Sequence, residues 1–367
     1  MSVLENILGT VYEIIPKPVR PVAKKLFFAT TLRFEAVLRR RRIYKSERIA
    51  FVDREVADLE KYEFLGPGPG EVTVKSFASV VSPGTEAAVL CGLPGARRYF
   101  PYYPGYSAAG IVQAVGKGVK DLVVGDRVAG RIPHAALATV PRSTLFPIPD
   151  GVDMQQAAYI ELGIIVLQGI RKAHVEIGDK VLVLGQGLIG QMCNRIARSM
   201  AAGEVVAGAT SNRRQKTATS EGGADSFLVM SDDLAPESIA ADLVIEAVGT
   251  PGAIETAIRC AKPGGRVCLL GSSRGLSRNF DVAELLQNRN IEVVGAHIGA
   301  MPELDASSGR WSYTQEGELF LDMLRNGMLS AKELTTWVAK PGEANAVFER
   351  LANGGKSEVG IMFEWQR

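Results

Sequence analysis

Hydrophobic positions recur along this chain in three successive rhythms, each with its own structural meaning. In the first, Val3, Leu4, Ile7, Leu8, Val11 and Ile14 fall at helical spacing until Pro16 and Pro18 interrupt it. A second helix is expected over about Val22 to Arg41, where Leu26, Phe27, Phe28, Leu32 and Phe34 mix with Lys24, Lys25, Arg33 and the run Arg39 to Arg42. Residues 1–48 read either as a basic amphipathic extension for a membrane surface or protein partner, or as an arm packed on its own enzyme.

From residue 49 to about Ile160 the rhythm shortens to alternation. EVTVKSFASVVS reads as a half-buried strand, and AAGIVQAVGKGV and GDRVAGRI as further short strands. ATVPRSTLFPIPDGV closes the segment with prolines suited to edges and loops, so a compact β domain is expected. Between Glu161 and His297 apolar runs alternate with helical stretches. VLVLG, VVAGAT, DSFLVM, DLVIEAVG, RVCLLG and IEVVGA are strand candidates, and Ile189, Met192, Ile196 and Met200 line one helix face after the first of them. This alternation predicts an α/β fold with a doubly wound parallel sheet.

The first of those strands runs into VLVLGQGLIG, in which Gly185, Gly187 and Gly190 are spaced as G-x-G-x-x-G. The glycines permit a tight turn, close approach of a pyrophosphate and close helix–strand packing, with the phosphates at the helix start around Leu188 and Ile189. The second strand ends GATSNRRQK, placing Thr210 and Ser211 where an acid would bind the adenosine ribose of NAD, with Arg213 and Arg214 close behind. Without a carboxylate a 2′-phosphate is not repelled, and a guanidinium offers it a planar fork of donors. The expected cofactor is NADP(H).

Composition narrows the class. A length of 367 residues suggests two domains, and a formal net charge of +2 gives no basis for nucleic acid as a partner. Cys91, Cys193, Cys260 and Cys268 form no C-x-x-C, so neither a disulfide framework nor a local zinc clip is indicated, and a cytoplasmic setting is expected. The apolar runs are too short to span a bilayer, and the N-terminus lacks the features of a secretory signal.

Several stretches together resemble the medium-chain dehydrogenase/reductase superfamily: PGYSAAGIVQAVGKGVKDLVVGDRVAG at 104–130, LFPIPDGVDMQQAAYIELG, VLVLGQGLIG, and EAVGTPGAIETAIRCAKPGGRVCLLG at 246–271. The resemblance implies a GroES-like catalytic domain over 49–160, a Rossmann domain over 161–297, and a return of 298–367 to the catalytic domain. It also implies a homodimer, and a cofactor cradle that includes Val248, Gly249, Gly271 and Ser272. Where zinc-dependent members carry Cys, then Gly-His-Glu, this chain has Ser82 in SVVSPGTE and Gly105-Tyr106-Ser107. A hydroxyl and a phenol at two ligand positions leave too few zinc donors, so no metal is expected. The Ser-Pro-Gly-Thr-Glu loop is similar to that of zinc-lacking members such as bacteriochlorophyllide-type and natural-product dehydrogenases.

Without a Lewis acid, hydrogen-bond donors must polarise the substrate carbonyl. The candidates are Tyr106, Glu161 near a third ligand position, Ser82, Thr85, Glu86, His134 and His297, each with a structural reading beside the catalytic one. YFPYYPGY, Tyr99 to Tyr106, is either an apolar wall for a cyclic or aromatic metabolite or a packed loop. The leading expectation is a zinc-independent NADP(H)-linked oxidoreductase acting at a carbonyl/alcohol carbon. Two alternatives remain: an enoyl- or quinone-type C=C reductase, and a non-catalytic NADP-binding module recruited by its N-terminal segment.

Overall fold

The computed structural model describes residues 30–38, 41–97, 99–220, 223–231, 233–277, 280–302, 311–355 and 357–365. The expected helix around Val3 to Ile14 lies outside them, as do residues 22–29 and 39–40 of the second. Residues 30–38 are helical, and Phe34, Val37 and Leu38 are exposed on that helix.

A strand begins at Ile43, so the boundary expected at residue 48 falls inside it. β1 (Ile43–Asp53) pairs antiparallel with β2 (Val56–Leu65) as a long two-stranded ribbon. Tyr44, Phe64 and Tyr62 stack along it. The polar run Lys45 to Arg48 hides this strand from a hydrophobicity reading, because the ribbon has a wet face.

The alternating region builds a seven-stranded sheet in the order β14-β15-β3-β4-β5-β7, with β6 also on β3. Its members are β3 (Glu71–Val81), β4 (Ala108–Val115), β5 (Arg127–Gly130), β6 (Leu137–Pro141) and β7 (Leu145–Pro147), joined by β14 (Thr335–Ala339) and β15 (Gly360–Glu364). Ile361 of β15 pairs with Val81 of β3, so the end of the chain closes the sheet that its first third began.

The other lobe is a parallel sheet in the order β10-β9-β8-β11-β12-β13. It comprises β8 (Lys180–Leu184), β9 (Glu204–Ala209), β10 (Ser226–Val229), β11 (Ala241–Glu246), β12 (Ala261–Leu269) and β13 (Glu292–Gly295). The order reverses beside β8, and at such a switch point a crevice forms outside the strand C-termini. The expected α/β fold with a Rossmann sheet is what the chain adopts.

Helices α1 (Pro83–Leu90), α2 (Ile160–Lys172), α3 (Leu188–Ser199), α4 (Pro251–Cys260), α5 (Tyr313–Arg325) and α6 (Ala344–Ala352) pack around these sheets. α2 is the spine between the lobes. Ile160, Leu162, Ile164, Val166, Leu167 and Ile170 are buried on all sides of it, the pattern of a helix with no solvent face. Its residues share one apolar core with Ala78 and Val80 of β3, Val181 and Val183 of β8, and Phe320 of α5. Burial of such side chains contributes roughly 1.5–3 kcal/mol each, so the lobes are held in register by α2.

Candidate active site

The nucleotide lobe brings the glycine turn, Val248–Gly249 and Gly271–Ser272 together at the C-terminal ends of β8, β11 and β12. Gly185 has φ +98°, and a Cβ there would stand 2.5 Å from Cγ2 of Val248. At Gly190 a Cβ would stand 1.8 Å from the Gly185 carbonyl oxygen, so only glycine lets α3 start this close to β8. Leu188 is buried, so it offers a ligand its backbone alone, and Ile189 is half-buried against the core. Thr210 and Ser211 are exposed at the end of β9, whose Gly208 carbonyl accepts from Gly185 N at 2.8 Å.

Beneath this cradle lies Glu246, which the sequence reading passed over. One carboxylate oxygen accepts from Val248 N and Gly249 N, each at 2.7 Å, and the other is buried without a partner. Burial pushes its carboxyl up, opposed by the hydrogen bonds from Gly249 and Val248. A buried acid in the strand-end motif EAVG, one residue before the turn, was the available signal.

Facing the cradle is the loop that starts α1. Both terminal nitrogens of Arg274, three residues past Gly271, lie 3.4 Å from the Gly84 carbonyl across the gap between the lobes. Ser82 is the N-cap of α1, yet its side chain makes no capping bond. Instead Glu86 accepts from Ser82 N at 2.9 Å, and the Ser82 hydroxyl pairs with the phenol of Tyr106. Thr85 pairs with that phenol too. Gly105 (φ +90°) makes the approach feasible, since a Cβ there would be 2.4 Å from His134 N. Burial pushes the Tyr106 phenol up to about 12, with the Ser82 and Thr85 hydrogen bonds opposing and the Glu86 and Glu161 carboxylates adding to the rise. It therefore remains a protonated donor at neutral pH.

His134 and Glu86 do not stand in the cleft as free acid–base groups. His134 is fully buried, with Nδ1 2.7 Å from Ser79 Oγ and Nε2 3.0 Å from Glu86, and Trp365 Nε1 donates to the same Ser79 oxygen at 2.8 Å. Trp365 can only donate. One assignment gives every proton an acceptor: tryptophan to serine, serine to Nδ1, and Nε2–H to Glu86. The relay sets the backbone of Ser82 and thereby the hydroxyls around Tyr106.

Glu161 is likewise engaged. Tyr313 of α5 donates its hydroxyl to one carboxylate oxygen, and Arg131 Nε lies 3.3 Å from the other. Burial pushes its carboxyl up, while Arg131 and the Tyr313 hydrogen bond pull it down. Ser107 holds this corner by donating to Ala158 O at 2.6 Å and accepting from Glu161 N at 3.2 Å. His297 is remote in role: it is exposed and caps its own turn through Gly299 N at 3.0 Å. The aromatic run divides. Tyr102 pairs its backbone with Phe51 of β1, and Arg48 stacks 3.3 Å above Tyr103, so both residues are anchored on the ribbon.

Comparison with known proteins gives two family matches in chain order, the alcohol dehydrogenase GroES-like domain over residues 68–150 and the zinc-binding dehydrogenase family over 189–310. The chain belongs to the medium-chain dehydrogenase/reductase superfamily. Among its relatives in that superfamily is the 2-dehydro-3-deoxy-L-galactonate 5-dehydrogenase of Pseudoalteromonas atlantica, 24% identical over 323 residues, covering 78% of this chain and 89% of the relative. A putative zinc-binding dehydrogenase from Sinorhizobium meliloti bound to NADP has a similar fold, with TM-score 0.74 and 21% identity over 88% of this chain and 99% of that one. An Escherichia coli dehydrogenase complexed with NADH has TM-score 0.74 and 20% identity over 87% and 99%.

The superfamily's zinc does not fit the residues found here. Ser82 and Tyr106 present only a hydroxyl and a phenol at two of the positions, and the Glu161 carboxylate is held by Tyr313 and Arg131. Zinc requires nitrogen, thiolate or carboxylate donors, and among the described residues no group of three or more His, Cys, Asp or Glu converges. The nucleotide cradle, in contrast, fits a pyridine dinucleotide, with bare glycine backbone at the turn and a helix start behind it.

Proposed function

We propose that this superfamily member is an oxidoreductase that moves hydride between NADP(H) and a carbonyl or alcohol carbon without zinc. The observation that carries the reading is the oxygen cluster of Tyr106, Ser82 and Thr85, held across the interlobe gap from the glycine cradle. Bound NADPH would supply the hydride. Tyr106 would donate its phenolic hydrogen bond to the carbonyl oxygen and stabilise the negative charge that develops there. Ser82 and Thr85 hold the phenol in place, and the exposed Thr85 links it to solvent for proton return. The protonated Tyr106 matches a carbonyl acceptor, and the hydroxyl-lined floor suits a hydroxylated substrate, in line with the sugar-acid substrate named for the Pseudoalteromonas relative.

For the cofactor, the exposed Thr210 and Ser211 and the following Arg213 favour a 2′-phosphate. The similar folds bound to NADP and to NADH support either dinucleotide, so this preference rests on the residues. The edge position of β13 supports the expected homodimer, and free cysteines at 91, 193, 260 and 268 support a reducing compartment.

The test is turnover by chelator-treated protein against hydroxyketones, aldehydes and enones, with NADPH and NADH in parallel, alongside metal analysis. Carbonyl reduction that survives chelation is the expected result. A tightly bound zinc whose removal abolishes activity overturns the metal-free reading. Turnover of enones alone overturns the carbonyl assignment, and stoichiometric NADPH binding with no turnover of either class favours a binding module.

A further inference from the structure

Arg213 and Arg214 are neighbours in sequence, but their surroundings differ. Arg214 is folded inward: Nη1 donates to Gln186 O at 3.2 Å and Nη2 to Glu358 O. A Cβ at Gly187 would lie 3.7 Å from the same Nη1. Gln186 and Gly187 belong to the glycine turn, whereas Glu358 leads into β15, which pairs with β3 in the other lobe. One planar guanidinium thus ties the phosphate turn to the catalytic lobe. Arg213 is exposed, and among the described residues no hydrogen bond or ion pair holds it. It lines an open groove of about 790 Å³ with Trp337, Arg350, Asn353 and Ser357.

We infer that the two residues divide the binding of the cofactor: Arg214 is an interlobe clasp that shapes the phosphate turn for either dinucleotide, and Arg213 alone reads the 2′-phosphate. The second half rests on the NADP(H) reading proposed above; the first does not. Turning Arg214 onto a phosphate would break its bonds to two carbonyls and leave the oxygens of Gln186 and Glu358 unmet. Its charge is also partly compensated already, because the Glu358 carboxylate acts on it and would oppose a second anion beside it. Arg213 breaks no bond by turning. Nε of Arg214 and Oε2 of Glu358 are both buried without partners, so the clasp retains hydrogen-bonding capacity that a tighter approach of the lobes would use. Arg214 is on this account a positioning residue.

The test is fluorescence titration of the full chain with NADPH, NADH and 2′,5′-ADP, with apo melting temperature as the folding control. Arg213→Ala should weaken NADPH and 2′,5′-ADP by about tenfold while leaving NADH within about twofold, as loss of a charge-assisted contact to one phosphate requires. Arg214→Gln should weaken NADPH and NADH by the same factor, on the order of fivefold, with Arg214→Lys between it and the wild type. A selective loss of NADPH in Arg214→Gln, or no loss of either dinucleotide, overturns the clasp. Should the glutamine variant not fold, Arg214→Lys is judged by the same criterion of equal against selective loss. If the wild type prefers NADH and Arg213→Ala changes neither affinity, the NADP(H) reading and the Arg213 assignment fall together, while the clasp is still decided by the Arg214 variants.

Discussion

The glycine cradle and the oxygen cluster face each other across one gap, yet they are built on opposite principles. The cradle is a backbone site in which Gly185, Gly187 and Gly190 lie within six residues, and each removes a side chain that would collide with nearby backbone or block a ligand. The cluster is a side-chain site. Tyr106 is held by Ser82 and Thr85, Ser82 by Glu86, Glu86 by His134, His134 by Ser79, and Ser79 by Trp365 near the end of the chain. Local sterics protect the first, and a relay of buried polar contacts protects the second. The first should fail by collision and the second by loss of partners.

The sharpest way to break this contrast is Tyr106→Phe. Losing one preorganised donor at the developing charge should lower kcat about 10²–10³-fold while NADPH affinity stays unchanged. Full turnover in stopped-flow or steady-state assays would remove Tyr106 from the chemistry. Gly190→Ala comes next, because its methyl would enter the space of the Gly185 carbonyl; it should cost about 3 kcal/mol of stability and most cofactor binding. Denaturant unfolding with and without NADPH separates the two effects.

His134→Asn should cost about 2 kcal/mol by leaving Ser79 and Glu86 unmet in a buried site. It should also lower kcat while sparing NADPH binding, because the cradle does not depend on the relay. Equal damage to cofactor affinity and turnover would merge the two regions into one unit. The smallest effect is expected at Glu246. Its folded carboxyl is pushed up by burial, so the stability it contributes is present at acid pH and is lost as pH rises through the folded value. Glu246→Gln should therefore be more stable than wild type at pH 8, by under about 1 kcal/mol, and the gain should vanish toward pH 4. A stability difference independent of pH would show that the Glu246 carboxyl titrates alike in the folded and unfolded chain, so that burial does not push it up.

Much of the nucleotide lobe was legible because its information is local. Alternating strand and helix patterns marked β8 to β13, and the glycine spacing marked the turn. Thr210 to Arg214 could be placed at the end of β9, but the two arginines looked equivalent until the chain around Gln186 and Glu358 was in place. In the other lobe, Ser82, Tyr106 and Glu161 could be named from their positions. The engagement of Glu161 by Tyr313, the burial of His134 under Glu86, and the diversion of Tyr102 and Tyr103 to the ribbon all depend on distant segments. The ribbon itself was hidden by its polar face.

By itself the sequence determined the Rossmann sheet, the phosphate turn and the absence of the usual metal-ligand side chains from Ser82 and Tyr106. These follow from backbone sterics and side-chain chemistry that need no distant partner. Only the tertiary structure decided which polar groups are occupied. Whether Glu161, His134 or Arg214 is available to a ligand depends on Tyr313, Ser79 and the Glu358 carbonyl, each brought to it by folding, since a buried polar group is held by whatever partner the fold supplies.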